Sequence, residues 1–115
     1  MTDTANVGKQ EKETEVSLNE MFKVYCSFDA ISREMNVELL PLSQIDKWLY
    51  IAQILDLHNV TTTDTGLCFF KFRKRAINYE EFLEYIRDLA NIKKLKLDDI
   101  EHKLRTCALP AEKQK

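Results

Sequence analysis

The chain has 115 residues, 17 Lys+Arg against 19 Asp+Glu, and a formal charge of −2. That length suits one domain with tails, and an apolar share of 44% with 10% aromatics is globular composition. No apolar run is long enough to span a bilayer. With Gly8 in a polar stretch, Gly66 is the only glycine of the body, which excludes the glycine-rich loops that bring backbone close to phosphate.

Residues 1–15 are Thr, Asp, Asn, Lys, Gln and Glu with almost nothing apolar. They cannot bury enough surface to offset ordering, so a disordered N-terminal tail is expected. The start has no apolar core of a secretory signal, and a cytoplasmic protein is expected. Ser17 and Glu20 have capping-box spacing, and Leu18, Met21, Phe22, Tyr25 and Cys26 recur at helical spacing. A first helix is predicted over 17–28. Asp29 to Leu40 reads as a loop before Pro41. Ser43 and Asp46 repeat the capping logic, and Ile45, Trp48, Leu49, Ala52 and Leu55 form one face, so a second helix is predicted over 43–56.

Thr61-Thr62-Thr63-Asp64 fits a short extended piece and then an N-cap. A third helix is predicted over 64–72, although Phe70, Phe72, Lys74 and Ala76 also alternate like a strand. Asn78 caps a fourth helix with Glu81 as its partner, and Phe82, Leu83, Ile86, Leu89 and Ala90 make its stripe. A fifth helix is predicted from Asp98 to Cys107, with Leu97, Ile100, Leu104 and Cys107 inward. Residues 16–109 form the core domain and 110–115 a C-terminal tail. The expected class is all-α: about five short helices, one core, and at most a tiny two-stranded β-bridge.

Ala76 to Phe82 has the grammar of the second half of an EF-hand. That motif places an apolar residue at loop position eight, where it pairs with its twin, and a Glu at position twelve. An aromatic follows inside the exiting helix. Ile77, Glu81 and Phe82 fit these places. Counting back, positions one, three and five are Phe70, Phe72 and Lys74, and position six is Arg75. Phenyl rings and positive charge offer a hard cation no oxygens, so a degenerate, EF-hand-like arrangement without calcium is expected. Val60 is the candidate bridge residue of an earlier loop, whose ligand places Gln53, Leu55 and Leu57 are no better.

Several short motifs stand in a telling order: Glu34-Met35-Asn36, Val60-Thr61-Thr62-Thr63-Asp64, Phe70-Lys71-Phe72, Ile77-Asn78-Tyr79-Glu80-Glu81-Phe82 and Leu89-Ala90. In this the sequence resembles the tubulin polymerization-promoting protein family, over about residues 17 to 109 and in a short form with the core domain only. Longer members carry a Gly-x-Gly-x-Gly-x-x-Gly-Arg motif that this sequence lacks, and its loop between Phe72 and Ile77 is shorter than usual. The resemblance implies a cytoskeleton-associated, non-enzymatic protein that binds tubulin or microtubules and promotes their assembly or bundling.

The expected partner-binding residues are Lys71, Arg73, Lys74 and Arg75, four cations in five positions that an acidic partner surface would attract. A solvated loop is the plainer reading of the same charges. Lys93, Lys94 and Lys96 form a weaker stretch that a helix C-terminus explains through its dipole. Glu80, Glu81, Glu84 and Asp88 read as a solvated acidic face. No metal or other cofactor is expected: Cys26, Cys68, Cys107, His58 and His102 lack the close spacing of a structural zinc site, and the thiols read as buried and reduced. Trp48 and the Phe69-Phe70-Phe72 group read as core, with room for one exposed anchor. No catalytic signature appears. The alternative function is a protein–peptide adaptor on an EF-hand-like scaffold. The acidic overall balance disfavours nucleic acid, and no membrane partner is expected.

Overall fold

A computed structural model describes residues 16–56 and 59–107. The expected tails at 1–15 and 110–115, and His58, lie outside these residues. Among the described residues, six helices and one short β-ribbon surround a single core. Helix α1 is Leu18–Ser27, α2 Ala30–Met35, α3 Leu42–Ile51, α4 Thr62–Phe70, α5 Tyr79–Lys93 and α6 Leu97–Thr106; strands β1 (Leu40–Pro41) and β2 (Ala76–Ile77) pair antiparallel.

The capping boxes explain three helix starts. Ser17 Oγ accepts from the Glu20 amide at 3.1 Å while Glu20 Oε1 accepts from the Ser17 amide at 3.0 Å. Asn78 and Glu81 exchange the same pair of bonds at 2.8 and 3.0 Å. Thr61 and Asp64 do so as well, so α4 opens two residues before the expected start at Asp64. Such boxes satisfy amide donors that the helix itself leaves unpaired.

Four sequence expectations are corrected. The supposed loop 29–40 contains α2, capped by Asp29, whose Oδ2 accepts from the Ser32 amide at 2.9 Å. Only Ser32 of α2 is buried, so its six residues send no apolar stripe into the core. The described residues thus hold six helices, in keeping with the expected all-α class of about five. Helix α3 starts at Leu42, directly off β1, and no Ser43 cap forms because Ser43 already lies in the first turn. The same helix stops at Ile51, short of 56, because Gln53 turns left-handed (φ 63°) and Ile54 N bonds back to Leu49 O at 2.8 Å. Finally, Ile77 pairs with Leu40, not with Val60. Val60 is buried outside the ribbon, its carbonyl accepting from the Asp56 amide at 2.8 Å.

Aromatic stacking fixes the centre. Trp48 on α3 is fully buried between Tyr25 of α1 (centroids 4.7 Å apart, planes at 14°) and Phe82 of α5 (5.0 Å, 4°). Its Nε1 donates to Leu104 O of α6 at 3.1 Å. One side chain therefore ties four helices, and its only polar atom is satisfied, as burial requires. Leu40, Ile77, Ile86, Leu89 and Leu104 close around it with no exposed surface.

Candidate partner-binding surface

The basic loop leaves the C-terminus of α4 and enters β2. Its four cations have different fates. Lys71 Nζ sits 2.5 Å from Glu84 Oε2 and 2.7 Å from Asp88 Oδ2, both on α5. Those bonds, to Asp88 first and then Glu84, raise the Lys71 pKa above its ordinary value. Lys74 Nζ sits 2.6 Å from Glu81 Oε2. That ammonium, followed by the Asn78 amide, holds the Glu81 carboxyl below the usual carboxylate range. The acidic face read as merely solvated is thus the counter-charge of half the basic loop. Sequence inspection treats the two as separate features because they lie on different elements.

Arg73 and Arg75 remain outward. Arg73 takes a left-handed backbone (φ 53°) and holds its guanidinium 5.5 Å from the Phe70 ring centroid. Arg75 makes no hydrogen bond or ion pair with any described residue. Phe70 itself is 68% exposed, and so is Leu67 one turn earlier. Adjacent helical residues point about 100° apart, so Phe69 and Phe70 cannot both face the core. Phe69 does, edge-on to Tyr85 at 6.3 Å. Of Trp48, Phe69, Phe70 and Phe72, the exposed ring is Phe70, next to a stacked arginine, and aromatic rings and arginines are residue types that concentrate binding energy at interfaces.

The cation seat of the second EF-hand-like loop is filled from within. Lys74, at the fifth place, contacts Glu81, at the twelfth, while Phe70 and Phe72 hold the first and third. An ammonium stands where a metal-loaded loop would bring positive charge to that carboxylate. The first loop, counted from its true bridge residue Leu40, offers Arg33, Met35 and Val37 at the first, third and fifth places and Gln44 at the twelfth. That set holds no carboxylate.

Residues 19–115 match the family model p25-alpha. The chain belongs to the p25-alpha family. The match spans all the motifs that carry the resemblance to the tubulin polymerization-promoting proteins. No curated protein and no solved structure matches the chain.

In this p25-alpha domain the cysteines stay apart. Cys26 and Cys68 are buried and Cys107 is half-buried, and none of the three is in a disulfide. Burial, then Glu38 and Asp29, pushes the Cys26 thiol up to about 12, so it is protonated at neutral pH. Among the described residues no three His, Cys, Asp or Glu side chains converge on one point. His102 is exposed on α6. Lys93 pairs with Asp64 at 3.3 Å, so it stitches α5 to the start of α4, while Lys94 is the left-handed residue that ends α5. No described helix is long and apolar enough to cross a membrane.

Proposed function

We propose that this p25-alpha chain is a non-enzymatic, cytoplasmic, cytoskeleton-associated module that binds tubulin or microtubules and favours their assembly or bundling. Membership of the family supports the partner. The observation that carries the mechanism is the division of the basic loop: Lys71 and Lys74 are neutralised by α5, while Arg73 and Arg75 stay available beside exposed Phe70. The docking cations are therefore the two arginines. Guanidinium groups suit carboxylate-rich surfaces because they bind bidentately and desolvate at lower cost than ammonium groups. Phe70 supplies an apolar anchor that salt does not screen.

Co-sedimentation with assembled microtubules across a salt series tests this. Wild type should pellet, and less so as salt rises. Arg73→Ser with Arg75→Ser should weaken binding by about fivefold or more at low salt. The fold should survive, since exposed substitutions rarely cost more than about 0.5 kcal/mol. An unchanged pellet for the folded double variant removes the docking mechanism. Absence of wild-type pelleting at every salt concentration removes the tubulin assignment.

A further inference from the structure

A second surface lies beside the loop. An apolar concavity of about 560 Å³ opens between α2 and the ribbon, lined by Ile31, Met35, Val37, Leu39, Pro41 and Ala76. Its volume falls within the range of ligand pockets. Ile31 and Met35, one turn apart on α2, are 60% and 66% exposed. The polar groups at its edges are already engaged. Asp29 caps α2, the Ser32 hydroxyl donates to Leu39 O at 2.7 Å, and Lys74 is held by Glu81. What the concavity offers an incoming group is apolar surface and one unpaired guanidinium, Arg75, on the opposite wall.

From this juxtaposition we infer that the groove docks a peptide segment of a partner protein in which bulky apolar residues stand next to a carboxylate. The apolar side chains enter between Ile31 and Met35, and the carboxylate meets Arg75. Methionine suits such a contact because its flexible side chain adapts to the shape offered. Charge decides the sign of the occupant. A basic segment would bring like charge against Arg75 and Lys74, whereas an acidic one completes a pair that costs no existing bond. The inference builds on the loop-docking reading above and narrows it, since a purely acidic segment would leave the apolar walls in water. It also makes part of the binding insensitive to salt, because apolar burial is not screened.

Three labelled synthetic peptides test it on the full chain by fluorescence anisotropy. One is polyglutamate, one interleaves Leu and Phe with Glu, and one carries Lys in place of Glu in the interleaved sequence. The interleaved acidic peptide should bind on the order of tenfold tighter than polyglutamate, and the basic one should bind no tighter than polyglutamate. Ile31→Ser with Met35→Ser should erase the advantage, both side chains being exposed enough for the fold to tolerate the change. Arg75→Glu should reverse the preference toward the basic peptide. Equal affinity of the two acidic peptides for wild type, which requires no variant, overturns the groove; so does an unchanged advantage in the folded Ile31/Met35 variant. Peptide selectivity without microtubule pelleting supports the groove and strikes the tubulin reading. Arginine-dependent pelleting with equal peptide affinities keeps the tubulin reading and strikes the groove.

Discussion

The α2–β1–α3 half and the α4–β2–α5 half share one plan. In each, the exiting helix opens two residues after the bridge residue, at Leu42 after Leu40 and at Tyr79 after Ile77. They differ in which side chains hold the loop. The second half has a complete capping box and an internal ammonium on Glu81. The first has Gln44 in the matching place and no side-chain cap on α3. Instead, Ser32 ties its short entry helix to Leu39 O. The two loops thus fill one plan differently: one sets a lysine against the carboxylate at the twelfth place, and the other forms an apolar wall. The shared ribbon and Trp48 join the halves, although the two loops differ in chemistry.

Breaking the junction should have the largest effect. Trp48→Ala removes the ring stacked between Tyr25 and Phe82 and takes the indole donor from Leu104 O, which keeps the weak thiol donor of Cys107 at 3.5 Å. We expect a loss of about 3–5 kcal/mol, measured by urea unfolding. If the halves fold independently, the loss will instead be small and confined to α3.

A smaller effect separates the two loops. Glu81→Gln discharges the Lys74 contact and weakens the box, and should cost about 1 kcal/mol at neutral pH. Gln44→Ala in the first loop should cost less. The sign with pH follows from Glu81. Its folded pKa lies below the ordinary 4.5, so its contribution is complete above that value and is lost as the pH falls through the folded pKa. The gap between wild type and Glu81→Gln should therefore narrow below about pH 4.5. A gap of constant size down to the acid transition would show that the carboxylate is not held by Lys74.

Smaller still is the effect of a left-handed position. Lys94→Gly at φ 57° relieves Cβ crowding where α5 ends and should stabilise by about 0.5 kcal/mol, part of the gain being offset by a freer unfolded chain. A loss of stability would mean that the Lys94 side chain contributes more than the turn. The smallest expected effect is none. Calcium should give no stoichiometric heat in calorimetry and no rise in melting temperature, because neither loop presents a ligand set. A saturable calcium heat would undo the comparison of the two loops.

Helices with clear apolar stripes are legible from residues alone: α1 and α6 lie within a residue of expectation at both ends, and α5 begins after the expected Asn78 cap. The helix ends that leave no trace share one cause. The left-handed residues at helix ends, which glycine usually marks, are here Asn36, Gln53, Arg73 and Lys94. At Asn36, Gln53 and Lys94 the chain closes with the paired backbone bonds of a Schellman turn, such as Val37 N to Ser32 O at 3.0 Å and Leu95 N to Ala90 O at 2.8 Å. With Gly66 mid-helix and no glycine at these stops, the end of α3 and the whole of α2 left little trace in composition. The bridge partner was misassigned for a related reason. Val60 and Leu40 are equally apolar and buried, and only the backbone decides which one faces Ile77. At the candidate surface, the charge run is visible in the sequence, but which charges are paired depends on α5 lying alongside the loop.

The chain has one tryptophan, and its setting makes it an optical reporter of the interior alone. Sealed between two rings and bonded to Leu104 O, the indole should emit at short wavelength and resist quenching by iodide. It has no surface at which a bound partner could touch it. A partner that settles on the arginines or the groove should leave the emission spectrum unmoved. A partner that shifts it must have pried the helices apart, so one spectrum distinguishes docking on this domain from remodelling it.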